Sequence, residues 1–208
     1  PKAVVLTLAL LFCTACGSTR QAECVDVLSN TENSRYSFEL KYEDEKELIA
    51  VTDKSSGESF IIPEETFVDE SYSIMSIYPT ENYLYYMKGR NSGVSIYRIK
   101  LSDMTREEII KSSDTADKSI LGLTFSWSDT ENRFSAVRLF TDEKNIYLID
   151  KNGMVFVLNP FAEKITDCTC IIEESVLGGC IFDGKAIYYI DEDGVQKMYN
   201  VVNKTFRI

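Results

Sequence analysis

The chain has 208 residues, 44% of them hydrophobic, with 12 Tyr and 11 Phe, and it carries 33 Asp and Glu against 22 Lys and Arg for a net charge of −11. Such an acidic excess repels nucleic-acid phosphates and anionic headgroups, which argues against a nucleic-acid partner. There is no histidine, which removes Ser-His-Asp catalysis, Cys-His catalysis and histidine-ligated metals together.

At the amino end, Lys2 precedes an apolar run from Ala3 to Phe12, and Thr14 and Ala15 lead directly into Cys16. About ten apolar residues suit the core of a signal segment and fall short of the roughly 20 that cross a bilayer. The order of these features resembles a bacterial lipoprotein signal, although Cys13 stands where that pattern usually has Leu. The resemblance implies cleavage before Cys16, lipidation (palmitate) of Cys16, and a mature chain held by its lipid at a membrane on the extracytoplasmic side of the cell envelope. An ordinary cleaved signal peptide is the alternative. On this reading residues 1–15 are the signal, the polar stretch 16–35 is a flexible tether, and 36–208 is one folded domain.

Within that domain four stretches share one layout: "ELIAVTDKSSGESFII", "NYLYYMKGRNSGVSIYRI", "KNIYLIDKNGMVFVLN" and "KAIYYIDEDGVQKMYN". Each has an apolar run, a polar corner with a glycine (Gly57, Gly93, Gly153, Gly194) and a second apolar run, the pattern of two strands joined by a tight turn. "YSFELKY", "YSIMSIY", "FSAVRLF" and "VLGGCIF" precede these hairpins as further strands, and "TREEIIK", "KITDCTC" and "KTFRI" follow them. In "LYYM" and "IYYI" every successive residue is apolar or aromatic, so both faces of the strand require cover. Four strands per unit, recurring at about 40 residues, is the period of a propeller blade. Asn82, Leu84, Tyr85, Tyr86, Gly93, Ile96, Tyr97 and Ile99 carry the repeat most strongly; Ile146, Tyr147, Asp150 and Gly153 echo it, as do Ile187, Tyr188, Tyr189, Asp191 and Gly194. On these residues the chain resembles the six-bladed and TolB-like β-propellers of bacterial envelope proteins. The expected fold is all-β, a propeller or propeller-like arc of about four to five antiparallel blades, with a β-sandwich as the alternative.

Between the second and third hairpins lies "TFSWSDTENRF", which holds the only Trp. Trp127 with Asp129 and Glu131 forms a candidate contact for a sugar or a partner protein, because an aromatic ring beside acceptors can stack while they hydrogen-bond. The competing reading is an ordinary strand in which Phe125 and Trp127 are buried and Ser126 and Ser128 face out. Asp142 is a further acid near a loop, and surface acids are usually only solvated. Cys24, Cys168, Cys170 and Cys180 follow Cys16, and a disulfide between Cys170 and Cys180 would close a short loop around "IIEESVLGG"; buried free thiols are the alternative. These cysteines lack paired C-x-x-C spacing, so no metal is expected. The acidic corner Asp191–Asp193 is no calcium loop, since its twelfth position is Val202. No phosphate loop appears, because Gly178 and Gly179 have no lysine-serine sequel, and no cofactor is expected.

Two classes of function follow from these readings, with a third alternative beside them. The first is a non-catalytic, membrane-anchored binding or scaffold module for a protein or a glycan. The second is a carboxylate-based hydrolase or lyase of extracellular glycans, which needs only two suitably spaced acids. The remaining alternative is a truncated propeller without independent activity.

Overall fold

The computed structural model describes residues 25–27, 30–43, 46–62, 73–90, 93–110, 138–150, 152–161 and 169–208. In Tyr83–Arg90, four consecutive side chains, Leu84, Tyr85, Tyr86 and Met87, are each 0% exposed. Because successive strand side chains point to opposite faces, this strand has to be covered from both sides. Leu84 and Tyr86 pack into one apolar cluster, and Tyr85 and Met87 into another. One continuous apolar run thus lies at the interface of three stacked sheets.

The sheets are antiparallel and follow chain order. The first contains β2 (Tyr36–Glu43), β3 (Lys46–Asp53) and β4 (Ser59–Ile61). The second contains β5 (Ser73–Pro79), β6 (Tyr83–Arg90), β7 (Gly93–Lys100) and β8 (Thr105–Ile110). The third contains β9 (Arg138–Thr141), β10 (Ile146–Ile149), β11 (Val155–Leu158) and β12 (Thr169–Ile172). The fourth contains β13 (Cys180–Phe182), β14 (Ala186–Ile190), β15 (Gln196–Asn200) and β16 (Thr205–Arg207), with β1 (Val25–Asp26) added beside β13. Four meandering sheets stacked face to face are propeller blades, not the two layers of a sandwich. Within "TREEIIK", expected as a strand after the second hairpin, Thr105–Ile110 forms β8.

Blades one and two share the cluster of Phe38, Val51, Leu84 and Tyr86, while blades two, three and four share that of Tyr85, Phe140, Tyr147, Phe182 and Tyr189. Phe140 stacks on Tyr147 with ring centroids 4.9 Å apart and meets Phe182 edge-on at 5.1 Å, so one aromatic group joins blades three and four. Offset aromatic pairs of this kind add about 0.5–1.5 kcal/mol beyond their buried area. Between blades two and three, the Leu139 amide donates to Ser76 Oγ at 3.2 Å. That bond satisfies a hydroxyl buried to 4% exposure.

The domain begins earlier than Tyr36. β1 pairs Val25 with Phe182 and Asp26 with Ile181, and the Val27 amide donates to the Cys180 carbonyl at 2.9 Å. Val27 is 3% exposed within the large core cluster. Residues 30–35 then turn into β2, with the Phe38 amide donating to the Thr31 carbonyl at 2.7 Å. Within the expected 16–35 tether, the described residues 25–27 and 30–35 therefore tie the last blade to the first, because a backbone paired along Cys180–Phe182 cannot also hang free.

The glycine corners also divide differently than their common appearance suggests. Gly153 (φ 83°) and Gly194 (φ 79°) sit in the turns β10–β11 and β14–β15, where the Asp150 and Asp191 carbonyls accept their amides at 3.0 Å. A Cβ on Gly153 would lie 2.4 Å from Ser175 Oγ and 2.9 Å from Ser175 Cα, so that site excludes any side chain. Gly57 (φ 74°) lies instead in the longer turn after β3, where its amide donates to the Asp53 carbonyl at 2.8 Å. Its counterparts are Met104 (φ 57°) after β7 and Lys204 (φ 53°) after β15. The first blade is thus offset by one strand from the equivalence that the glycines imply.

Truncating Val27 to Ala tests the interblade tie: it should lower unfolding free energy by about 2 kcal/mol in urea titration, the usual cost of deleting two buried methyl groups. A shift of under a few tenths would mean that the amino segment is not part of the cooperative unit.

Candidate functional site

The corners that precede β2, β6, β10 and β14 are each built from a short polar side chain that accepts backbone N–H groups. In blade one, Asn33 Oδ1 accepts from Arg35 and Tyr36 at 3.0 and 2.7 Å. In blade two, Thr80 Oγ1 accepts from Tyr83 at 3.1 Å. In blade three, Asp142 Oδ1 accepts from Lys144 and Asn145 at 3.0 and 2.6 Å. In blade four, Asp183 Oδ1 accepts from Lys185 and Ala186 at 2.8 and 2.7 Å. These side chains supply the turn with an acceptor that the backbone alone lacks.

In the third and fourth blades the same aspartate performs a second task five residues on. The Tyr147 hydroxyl donates to Asp142 Oδ2 at 3.1 Å, and the Tyr188 hydroxyl donates to Asp183 Oδ2 at 3.1 Å. Burial first, and then the adjacent Asp142 charge, push the Tyr147 hydroxyl well above the ordinary tyrosine range, so it stays a donor.

The four corners surround one cavity of about 670 Å³, lined by residues 30–34, Lys54, 78–81, 141–143 and 182–184. Side chains of neighbouring blades fasten its rim. Asn33 Nδ2 donates to the Thr80 carbonyl at 2.7 Å, Ser34 donates through its amide and hydroxyl to Glu81, and the Thr80 hydroxyl donates to Glu143 Oε1 at 2.6 Å. Glu143 adopts a left-handed backbone (φ 68°), held by its amide bond to Thr141 Oγ1 at 2.8 Å. Tyr78 lines the cavity at 4% exposure, with its ring packed into the core cluster against Phe140. Burial pushes that phenol far above its usual range, so it remains neutral. Five carboxylates, those of Glu32, Glu81, Asp142, Glu143 and Asp183, line the cavity against one ammonium, Lys54, which pairs with Glu32 at 3.4 Å.

A second depression of about 410 Å³ lies between the turns of the third and fourth blades and includes Asp191, Glu192 and Asp193. Asp191 Oδ1 caps its turn by accepting the Asp193 and Val195 amides at 3.0 and 2.8 Å. Lys197 Nζ lies 2.9 Å from Asp191 and also contacts Glu174. The Lys197 bond, followed by the Val195 amide, holds the Asp191 carboxyl below its ordinary range. Asp191 is thus a turn cap and ion-pair partner, and Glu174 an ion-pair partner.

Of the side chains singled out in the sequence, Asp142 is the one that the cavity brings in. Cys16, Trp127, Asp129 and Glu131 lie outside the described residues. The expected Cys170–Cys180 bridge is not formed: the two cysteines sit in different blades, with Cys180 fully buried opposite Tyr189 in blade four and Cys170 opposite Phe156 in blade three. The Cys170 Sγ donates instead to the Ile172 carbonyl at 3.4 Å, and burial pushes its thiol above the usual range. Sequence reading missed the cavity because it followed the glycines. The signal lay in the acid before each strand, Asp142 or Asp183, with a Tyr five positions later.

No protein-family model matches the chain, and no curated protein matches it. Among solved structures it is similar to TolB from Acinetobacter baumannii, with a TM-score of 0.49 and 14% identity over 99% of this chain and 46% of that one. It is also similar to the tricorn protease, with a TM-score of 0.40 and 10% identity over 86% of this chain and 18% of that one. The chain spans less than half the length of either protein. The blade architecture rests on the four sheets themselves.

A double-mutant cycle tests the shared role of the corner aspartate. Asp142→Ala should cost about 2–3 kcal/mol in urea unfolding, and Tyr147→Phe about 1 kcal/mol. The pair should couple by about 1 kcal/mol, and additive losses would show that the two side chains act separately.

Proposed function

We propose that the protein is a non-catalytic binding or scaffold module whose ligand, a protein segment or a glycan, enters the cavity between the blade corners. The observation that carries this reading is how its acids are used. Asp142, Asp183 and Glu81 spend both oxygens accepting N–H or O–H groups that hold the fold, which is the role of a fixed acceptor. A general acid must instead carry a proton to a leaving group and release it. Rings at the wall, Tyr78 and Phe182, offer apolar area beside the polar rim, as binding pockets do.

In the same proposal the module works in the cell envelope, held at a membrane by a lipid on Cys16. The sequence features Lys2, the apolar run 3–12 and the small pair Thr14 and Ala15 support that part. The blade surfaces then act at the extracytoplasmic side.

A glycan hydrolase or lyase is the second reading, favoured by one observation: Glu143 and Glu32 each keep one carboxylate oxygen without a hydrogen bond among the described residues, in a cavity that also holds Tyr78. Two measurements separate these accounts. With Thr31→Trp, which fills the cavity from an exposed position, saturable binding of envelope glycans or proteins should fall at least about tenfold, a loss of one contact's worth of affinity. Release of reducing ends from those glycans by the unmutated chain should stay at background; turnover abolished by Glu143→Gln would establish the hydrolase instead.

For the anchor, cells fed radioactive palmitate should label the unmutated chain and leave Cys16→Ser unlabelled. Persistent label in the variant would refute the lipid site.

A further inference from the structure

We infer that Asn152–Gly153, in the β10–β11 turn, is a site of spontaneous covalent ageing: the Gly153 nitrogen attacks the Asn152 side-chain amide, and the rearranged backbone loosens the junction of blades three and four. This goes beyond the binding-module reading and does not depend on it.

Asn152–Gly153 is the only Asn-Gly pair in the chain. Attack forms a bond from Gly153 N to Asn152 Cγ and breaks the Cγ–Nδ2 bond. Ammonia leaves with the proton that the Gly153 amide loses, and a cyclic succinimide remains. Water then opens the ring at either carbonyl. One opening leaves an ordinary aspartate; the other leaves an isoaspartate, whose main chain runs through the side-chain carbon and is one methylene longer. Groups held side by side on one chain react as if at very high concentration, and glycine has no Cβ to crowd the approach. Asn152 is exposed, so water reaches the ring.

The fold both requires this pair and restrains it. Gly153 has a left-handed backbone (φ 83°) and no room for a side chain, so the residue after Asn152 has to be the least hindered one. Its N–H donates to the Asp150 carbonyl at 3.0 Å, while Asn152 donates through its amide to Asp150 Oδ1 at 2.9 Å and through Nδ2 to Asp150 Oδ2 at 3.3 Å. The Gly153 nitrogen must leave its bond before it can attack, so the rate follows local opening of the turn.

The consequence comes from what the turn rests on. The Val176 amide donates to the Gly153 carbonyl at 3.0 Å, and Val176 is 0% exposed in the core cluster that blades two, three and four share. A Cβ on Gly153 would meet Ser175 Oγ at 2.4 Å and Leu177 Cγ at 3.0 Å, so a longer main chain here pushes the turn against the linker that leads into blade four. Blade four supplies a comparison. Its equivalent pair is Asp193–Gly194, where Gly194 has φ 79° and nothing within 4 Å of an added Cβ. A carboxylate at this turn position is therefore compatible with the fold, and the inserted methylene is what blade three has no space for.

The full chain is aged at mildly alkaline pH, and isoaspartate is read by a protein isoaspartyl methyltransferase that transfers a labelled methyl group, followed by tryptic mapping. The peptide 152–164 contains no Asp, and its other Asn, Asn159, precedes Pro160, whose nitrogen has no proton to lose. Label should accumulate on this peptide in the unmutated chain and stay at background in Asn152→Gln, whose longer side chain closes the ring poorly. Ageing the chain unfolded in urea should label it at least about tenfold faster, as a barrier lowered by loss of the turn requires. The aged protein should melt about 2–4 °C below the fresh one, whereas aged Asn152→Gln and freshly prepared Asn152→Asp should each melt near their unaged or unmutated reference. The inference is overturned if no label reaches this peptide, if the folded and unfolded chains age at the same rate, if aged Asn152→Gln loses as much stability as the aged unmutated chain, or if fresh Asn152→Asp melts as low as the aged protein, since charge alone would then be the cause.

Discussion

Burial of the second strand in each blade on both of its faces is the constraint from which the architecture follows. A sheet whose middle strand reads Leu84-Tyr85-Tyr86-Met87 has no face to give to water. Each fully buried side chain of that size contributes about 1.5–3 kcal/mol only if something apolar covers it. Stacking sheet on sheet provides that cover, and the stack has to turn about an axis because each sheet is twisted. Blade two meets blade one through Leu84 and Tyr86 and blade three through Tyr85 and Met87, so its neighbours are fixed by the parity of a single strand.

The axis is where the polar requirements of the corners collect. A turn between two buried strands leaves amides that need acceptors, and Asn33, Thr80, Asp142 and Asp183 provide them at equivalent places in four blades. Because the blades converge there, side chains chosen for local turns end up facing one another and form the wall of a cavity. The acidic character of that wall is thus partly a by-product of folding. Glu32 and Glu143 are what remain once the turns have been satisfied, each with one carboxylate oxygen that no described residue occupies.

The amino segment shows the same economy. Residues 25–35 carry polar Asn and Ser side chains that suit a loop, and each of the three polar ones that line the cavity rim makes a bond to it: Asn30 to the Pro79 carbonyl at 3.4 Å, Asn33 to Thr80 and Ser34 to Glu81. Val27, deeply buried, enters the core beside blade four. Read alone, the stretch has no periodicity and looks like a tether; it is ordered by partners more than 40 positions away, at |i−j| of 47 and 49.

What the sequence determined by itself is everything that depends on period and on neighbours close along the chain. Alternation, runs apolar on both faces, and glycine after Asp or Asn specify strands, turns and the number of strands per unit, because those are local backbone preferences that a few residues express. The strands at residues 84–87 and 186–190, the turns at Gly153 and Gly194 and the blade repeat were all legible in this way. Tertiary structure decided the rest. It placed Gly57 with Met104 and Lys204, kept Cys170 and Cys180 apart in different blades, paired Val25–Asp26 with the last blade, and assembled Glu32, Tyr78 and Glu143 around one cavity. None of these follows from spacing, since each depends on which blade packs against which, and packing is settled by the buried faces of all the strands acting together.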